Sequence, residues 1–438
     1  MMMKNNYMKT LIERRQQGEQ IGLPSYCTSN DIVIETILTR AAKTGLPVLI
    51  EATANQVNQF GGYTGMKPVD FHDWVMGKAR VLGVPEENLI LAGDHLGPLT
   101  WQDLPEKESM ANAEELVYLY AKAGFTKIHL DTSMKLADDP DGLLSTETIA
   151  RRGARLYQAS MKGYEELLED NPKAIRPAFV IGSEVPIPGG AQESEDSLAV
   201  TKPEALQDTI ETYRRVFAEA DVAEGMDDVI AVVVQPGVEF GDDQIFLYDS
   251  EAAKTLTAKL RDYPEFVLEG HSTDYQSREA LRAMVKDGIA ILKVGPALTY
   301  ALREALFALS LMEKELVPED KRAGVMETLE AVMIESPANW QKHYHGNADE
   351  QKLAREYSFS DRARYYIGDS RVNAMIWKLF YNLQACDIPM NMLHQYMPYQ
   401  FERVRSGQLE IEPKALVMDA VAQVLKDYEF GAGYVAEV

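Results

Sequence analysis

The segment Gly93-Asp94-His95-Leu96-Gly97-Pro98 sets a carboxylate beside an imidazole at the end of a short apolar run. Imidazole is a ligand for divalent metals, and an adjacent carboxylate can move a proton. Side chains alternate along a strand, so one of Asp94 and His95 is expected to enter the mouth of the fold and the other to face a neighbouring loop. Glu269-Gly270-His271 places a second carboxylate and imidazole two residues apart, where both can face one metal. Ser272 and Thr273 follow, with hydroxyl and N–H groups suited to an oxyanion or phosphate, and Gly295-Pro296-Ala297 would form the facing wall. A capped turn is the plainer alternative at either segment.

Asp131 and Glu184 end two neighbouring runs. Paired acids in a partly dry cleft have their pKa values pushed apart, which suits acid–base work; a salt bridge to Lys293 or to a buried Arg is the rival reading. Asn55 and Gln56 open an amide- and glycine-rich loop that suits hydroxyl or phosphate recognition, or is simply an ordered loop. Gln235 and Glu239 add a neutral amide and a further acid. His129 precedes Asp131 by two residues and shares its side of the strand, whereas His72, His343, His345 and His394 read as structural or surface residues. The Pro186–Gly190 stretch looks like a shaped loop over the mouth. Cys27 reads as a small buried hydrophobe. No GxxxxGK[ST] loop and no GxGxxG after a strand occurs, so no nucleotide is expected.

The elements that carry these groups are eight short apolar runs: IGLPSYC, PVLIEAT, LILAGDH, KIHLDTS, AFVIGSE, IAVVVQP, FVLEGH and ILKVG. A helical stretch follows each: 31–44, 69–82, 109–123, 145–170, 203–220, 249–262, 276–287 and 299–316. Strand–helix alternation repeated eight times implies an α/β protein, a (β/α)8 TIM barrel, whose reactive groups stand at the C-terminal strand ends. Runs such as IAVVV imply strands covered on both faces. The alternation stops near Pro318. The expected division is therefore a barrel over 1–317 and a helical appendage over 318–438, rich in aromatics and Arg and packed on the barrel.

Composition bounds the partners. The 438 residues carry a formal net charge of −24, which argues against nucleic acid and anionic membrane. An anionic small molecule remains compatible, because a few Arg, Lys or N–H groups bind phosphate locally. Two distant cysteines fit a reducing cytoplasm, and MMMKNNYMKTLIERRQQ lacks the apolar centre of a secretory signal. No apolar run approaches a membrane span.

LIEATANQVNQFGGYTGM, GDHLGP, GFTKIHLDTSM, IGSEVPIPGG, VVVQPGVEF, HSTDYQ and ILKVGPALTYALREALFAL closely resemble the Z subunit of class II tagatose-1,6-bisphosphate aldolase, the GatZ/KbaZ family. SFSDRARYYIG and QYMPYQFERVRSG extend the resemblance into the tail. The resemblance implies a non-catalytic partner that supports a separate zinc-dependent Y subunit in galactitol, N-acetylgalactosamine and tagatose catabolism. Tagatose-6-phosphate kinase is an older label of the family. The chain also looks like a distant relative of the catalytic aldolases, which have Asp-His after strand three and His-Gly after strands six and seven. Here strand six ends Gln235-Pro236-Gly237 and strand seven Glu269-Gly270-His271. The altered set implies zinc or manganese on His95, Glu269 and His271, with Asp94, Asp131 and Glu184 as acid–base groups. Asn55, Gln56, Gln235, Glu239, Ser272, Thr273, Lys293 and Gly295 would contact a sugar or sugar phosphate. Relatives assigned ketose or keturonate 4-epimerase activity make metal-dependent epimerisation the alternative function. Self-association is a further expectation.

Overall fold

A computed structural model describes residues 6–185 and 199–434. Eight parallel strands close into a barrel: β1 (Leu23–Cys27), β2 (Val48–Thr53), β3 (Leu89–Leu96), β4 (Lys127–Leu130), β5 (Ala178–Ile181), β6 (Val229–Val234), β9 (Val267–Gly270) and β10 (Ile289–Val294). A small antiparallel hairpin, β7 (Glu239–Phe240) and β8 (Ile245–Phe246), interrupts the series. The seventh and eighth apolar runs therefore form β9 and β10, and β10 closes on β1 through Leu23–Tyr26 against Ile291–Val294. The hairpin spans only the eight residues 239–246 and has no alternation long enough to announce itself.

The helices follow from local chemistry. They are α1 (Tyr7–Gln16), α2 (Asp31–Thr44), α3 (Pro68–Leu82), α4 (Glu106–Lys122), α5 (Thr146–Asp170), α6 (Pro203–Glu219), α7 (Ser250–Lys259), α8 (Arg278–Asp287) and α9 (Pro296–Leu316). Asn30 caps α2 by accepting from Ile32 and Val33 N–H, and Ser145 caps α5 through Thr148 N–H, which satisfies donors a helix start leaves free. Helix α1 has a role the sequence did not announce. Met8, Leu11 and Ile12 pack with Leu23, Leu49, Ile90, Val180 and Ile291 inside the barrel. Asn6 donates to the carbonyls of Thr126 and Arg176, just before β4 and β5. The helix therefore plugs the end opposite the strand C-termini.

Seven further helices follow: α10 (Val325–Glu335), α11 (Ala348–Tyr357), α12 (Arg364–Ile367), α13 (Ser370–Gln384), α14 (Met390–Tyr396), α15 (Pro398–Arg405) and α16 (Pro413–Gly431). Of these, α10, α12, α13, α14 and α16 pack on α9, which is accordingly buried on more than one face, from Leu298 and Leu302 to Arg303, Phe307 and Ser310. A buried ion pair of Arg303 Nε with Asp361 Oδ1 (2.7 Å) and a hydrogen bond from Thr299 Oγ1 to Asp361 Oδ2 (2.6 Å) fasten the Ser358–Gly368 stretch to the start of α9. Among the described residues no helix is long and apolar enough to cross a membrane.

Candidate active site

The C-terminal strand ends and residues between Val332 and Trp377 of the appendage enclose a cleft of about 680 Å³. Asp94 and His95 both line it, contrary to strict alternation. The β3–β4 register shifts between Gly93 and Leu96, and His95 takes a left-handed backbone with φ 46°. This bulge turns two consecutive side chains to one side. Gly97 permits the arrangement, since a Cβ there would sit 1.6 Å from the Asp131 carbonyl oxygen.

Three imidazoles face one another at the floor. Ring centroids are 5.2 Å apart for His95–His129, 4.9 Å for His95–His271 and 5.2 Å for His129–His271. Each ring commits one nitrogen to a carboxylate. His95 Nδ1 bonds Asp131 Oδ2 at 2.8 Å, His129 Nδ1 bonds Asp94 Oδ1 at 3.0 Å, and His271 Nε2 bonds Glu269 Oε1 at 2.9 Å. Such pairing orients the ring and, for His95 and His271, favours a lone pair on the second nitrogen; His129 Nδ1 also accepts from His95 N–H at 3.2 Å. Asp94, His95, His129 and His271 each offer a ligand atom, all within 4.8 Å of one another.

Beneath them lies a dry ion network. Lys127 Nζ contacts Glu51 Oε1 at 2.5 Å and Glu269 Oε2 at 2.8 Å, with all three side chains fully buried. Lys293 Nζ bonds Glu51 and lies 2.5 Å from Asp94 Oδ1. The four carboxylates of Glu51, Asp94, Asp131 and Glu269 exceed the two ammonium groups by two negative charges. One divalent cation, or protons on the imidazoles, would balance that excess.

The protonation equilibria follow. Burial raises the Asp94 carboxyl, but His95, Lys293 and the His129 hydrogen bond outweigh it, so Asp94 titrates well below the usual range. Burial likewise opposes ionisation of Glu269, and Lys127 and Lys293 reverse it. Burial lowers His95, yet Asp94 and Asp131 shift it upward overall. His271 falls to about 3, through burial and the neighbouring His95, despite its bond to Glu269.

The residues fit a divalent metal. Nε2 of His129 is buried without a hydrogen-bond partner, a costly state unless something accepts its lone pair or proton. Imidazole and carboxylate are ligands of zinc and manganese alike. The ligand set differs from the expected one. Glu269 is the counter-ion of Lys127 and the partner of the His271 ring, below the cluster, while His129 takes the third imidazole position. His129 was legible as inward-facing, but nothing in its spacing marked it as a ligand.

The remaining expected residues divide. Asn55, Gln56, Ser272, Lys293 and Gly295 line the cleft. Asp131 is buried and orients His95. Thr273 Oγ1 instead donates to the Lys293 carbonyl at 2.6 Å and bonds the Tyr428 hydroxyl, tying β9 to α16. Gln235 Oε1 accepts from Gly237 and Val238 N–H, closing its own turn. Glu239 Oε1 accepts from Phe240 N–H within the hairpin. Glu184 is exposed beyond β5, off the cleft wall, and the Pro186–Gly190 loop lies outside the described residues. Asp274, which no spacing marks as a site residue, accepts from Gly295 N–H (3.0 Å) and Ala297 N–H (2.8 Å) at the start of α9. Burial raises its pKa to about 6, against those two bonds. Tyr63, Arg364 and Tyr365 complete the wall. The composition of SDRARYYIG signalled Arg364 and Tyr365, but only the fold brings them to the strand ends.

The family model described as D-tagatose-1,6-bisphosphate aldolase subunit GatZ/KbaZ-like matches residues 8–433. The D-tagatose-1,6-bisphosphate aldolase subunits GatZ of Salmonella heidelberg and Klebsiella pneumoniae are each 46% identical over 424 residues, covering 97% of this chain and 99% of theirs. A crystal structure from Sinorhizobium meliloti, described as a probable tagatose 6 phosphate kinase, superimposes with a TM-score of 0.84 at 45% identity, covering 94% of this chain and all of that one.

Proposed function

The chain belongs to the GatZ/KbaZ-like family of D-tagatose-1,6-bisphosphate aldolase subunits, and from that premise we propose that it is the cytoplasmic Z-type subunit of such an aldolase. It would stabilise a separate catalytic Y subunit of the zinc-dependent class II type, in galactitol, N-acetylgalactosamine or tagatose catabolism. The carrying observation is 46% identity to GatZ along nearly the whole of both chains. Co-expression with a class II Y subunit tests it. The partner's aldolase half-life is expected to lengthen in the presence of this chain, and an unchanged half-life with no co-purification would reject the role.

A second reading rests on the floor of the cleft: this chain acts on a ketose or ketose phosphate itself, as a metal-dependent 4-epimerase or aldolase-like enzyme. A chain that only supported a partner would have no packing reason to bury three imidazole–carboxylate pairs around a common space. His95, His129 and His271, with Asp94, would hold zinc or manganese. When bound, the cation supplies Lewis-acid polarisation of a ketose carbonyl and its neighbouring hydroxyl. Asp131 and Glu269 orient their imidazoles. Asp94, ionised on the cleft wall, would complete that ligand set, its Oδ1 already bonded by His129 Nδ1 and His95 N–H. Lys293 holds Asp94 in its charged state, and Asn55 and Gln56 offer amides to sugar hydroxyls. Glu184 has no part in this arrangement. Incubation of the purified chain alone with tagatose, fructose and their phosphates separates the readings. Turnover lost in His271→Ala supports the second, and its absence in a metal-replete sample leaves the first alone.

A further inference from the structure

Barrel proteins often seat phosphate at the loops after strands seven and eight, against a helix N-terminus. Here that cradle is already filled from within. Asp274 takes the N–H groups of Gly295 and Ala297, so a carboxylate of the chain stands where an anion of a ligand would be stabilised. The basic side chains on the cleft wall, among the described residues, are Lys293 and Arg364. Lys293 is committed to Glu51 and Asp94.

Arg364 is different. Its Nη1 donates to the Ser360 carbonyl and, at 3.0 Å, to the Asp361 carbonyl; its Nη2 donates to the Tyr365 hydroxyl at 2.9 Å. All three acceptors are neutral, and among the described residues no carboxylate pairs with it. The nearby Asp361 carboxylate is spent on Arg303 and Thr299. Of the five guanidinium N–H groups, these bonds leave Nε–H and one on Nη2, the pair that forms a bidentate fork. The guanidinium also lies 4.4 Å from the centre of the Tyr365 ring, which packs edge-on to Tyr63 of the β2 loop at 5.1 Å. The group is thus held at the wall near the Asp361 and Asp274 carboxylates but hydrogen-bonded to neither, with two donors free among the described residues.

Resting on the reading of the cleft as a ketose site, we propose that Arg364, delivered by the C-terminal segment, recognises an anionic terminal group of the sugar, a phosphate or a carboxylate. The appendage then completes the site, and the neutral sugar is the poorer ligand. A bidentate charge-assisted contact in a half-dry wall raises affinity about 10- to 100-fold.

Calorimetric titration of the metal-replete full chain with tagatose, tagatose 6-phosphate and tagaturonate tests the proposal. The wild type is expected to bind one of the two anionic sugars at least tenfold more tightly than tagatose, and whichever is preferred identifies the anion. Arg364→Gln is expected to erase that advantage while leaving tagatose affinity within about twofold. Arg364→Lys, which keeps charge and stem but not the fork, is expected to retain only part of it, and serves if the Gln variant misfolds. Equal binding of neutral and anionic sugars by the wild type, or an undiminished advantage in either variant, would overturn the role of Arg364 while the ketose site stands. Failure of all three sugars to bind would overturn the ketose reading and this proposal with it.

Discussion

Glu269→Gln separates a counter-ion from a metal ligand. In the structure Glu269 Oε2 lies 2.8 Å from Lys127 Nζ, both side chains fully buried, and its Oε1 bonds the His271 ring. At an effective dielectric of about 20, two charges at that distance attract by about 6 kcal/mol. Desolvation offsets part of this, and removing one member of a buried pair costs about 3–5 kcal/mol in measured cases. Lys127 keeps Glu51 at 2.5 Å, so the cost of Glu269→Gln belongs at the lower end, about 3 kcal/mol. Lys127→Met is harsher, about 5 kcal/mol, because it leaves Glu51 and Glu269 facing each other with Lys293 as their cation. The double variant restores the charge balance and is expected to cost less than the two single changes together, by about 3 kcal/mol. Urea unfolding of the four proteins at constant metal concentration measures the cycle. A coupling near zero, or an Glu269→Gln variant that keeps full stability but loses its metal, would refute the counter-ion assignment and restore Glu269 as a ligand.

Other consequences follow from the same geometry. The Asp274 carboxyl titrates near 6 when folded and near 3.9 in an unfolded chain. Between those values the folded chain holds the proton that the unfolded chain has lost, so this group's contribution to stability is present at about pH 4 and fades as pH rises through 6. Asp274→Asn keeps the acceptor for Gly295 and Ala297, and is expected to flatten this decline by up to about 3 kcal/mol in unfolding measured from pH 4 to 7. A decline of the same steepness in the variant would reject the assignment. Gly97→Ala forces a methyl onto the Asp131 carbonyl; it is expected to cost about 3 kcal/mol or more and to displace His95, checked by thermal unfolding and histidine NMR shifts. Asp361→Asn breaks the Arg303 pair and is expected to raise hydrogen exchange across 358–368 well above that of β3, with a loss of about 3 kcal/mol; unchanged exchange would show that the segment is held by other contacts.

Much of this architecture was legible because it rests on local periodicity. The 31–44 helix is observed as read, and the barrel runs each yield a strand, since aliphatic segments between turn residues have few other solutions. Helix α1 was missed because its apolar residues serve a plug rather than the ring, and the β7–β8 hairpin because two-residue strands carry no period. In the site, the types of Asp94, His95 and His271 sufficed to place them at one cleft. Glu269 lies apart from the clustered ligand atoms, because spacing gives the side of a strand but not its depth; one layer below the mouth, its carboxylate meets Lys127. His129 and Arg364 depended on distant chain. One needed the β3 bulge to bring His95 beside it, and the other needed the Asp361–Arg303 pair to seat the appendage. Gln235, Glu239 and Thr273 show the converse, polar residues near strand ends that satisfy their own backbone or a neighbouring helix.

The central claim is that three imidazoles, each braced by a carboxylate, form with Asp94 a divalent-metal site. Elemental analysis of the chain after exposure to zinc or manganese and exhaustive desalting tests it most directly, beside His129→Gln and His271→Gln. About one equivalent of metal in the parent protein, falling at least tenfold in both variants while far-UV dichroism is retained, is the expected result. A parent protein that keeps no metal, or a His129→Gln variant that keeps it undiminished, would contradict the account.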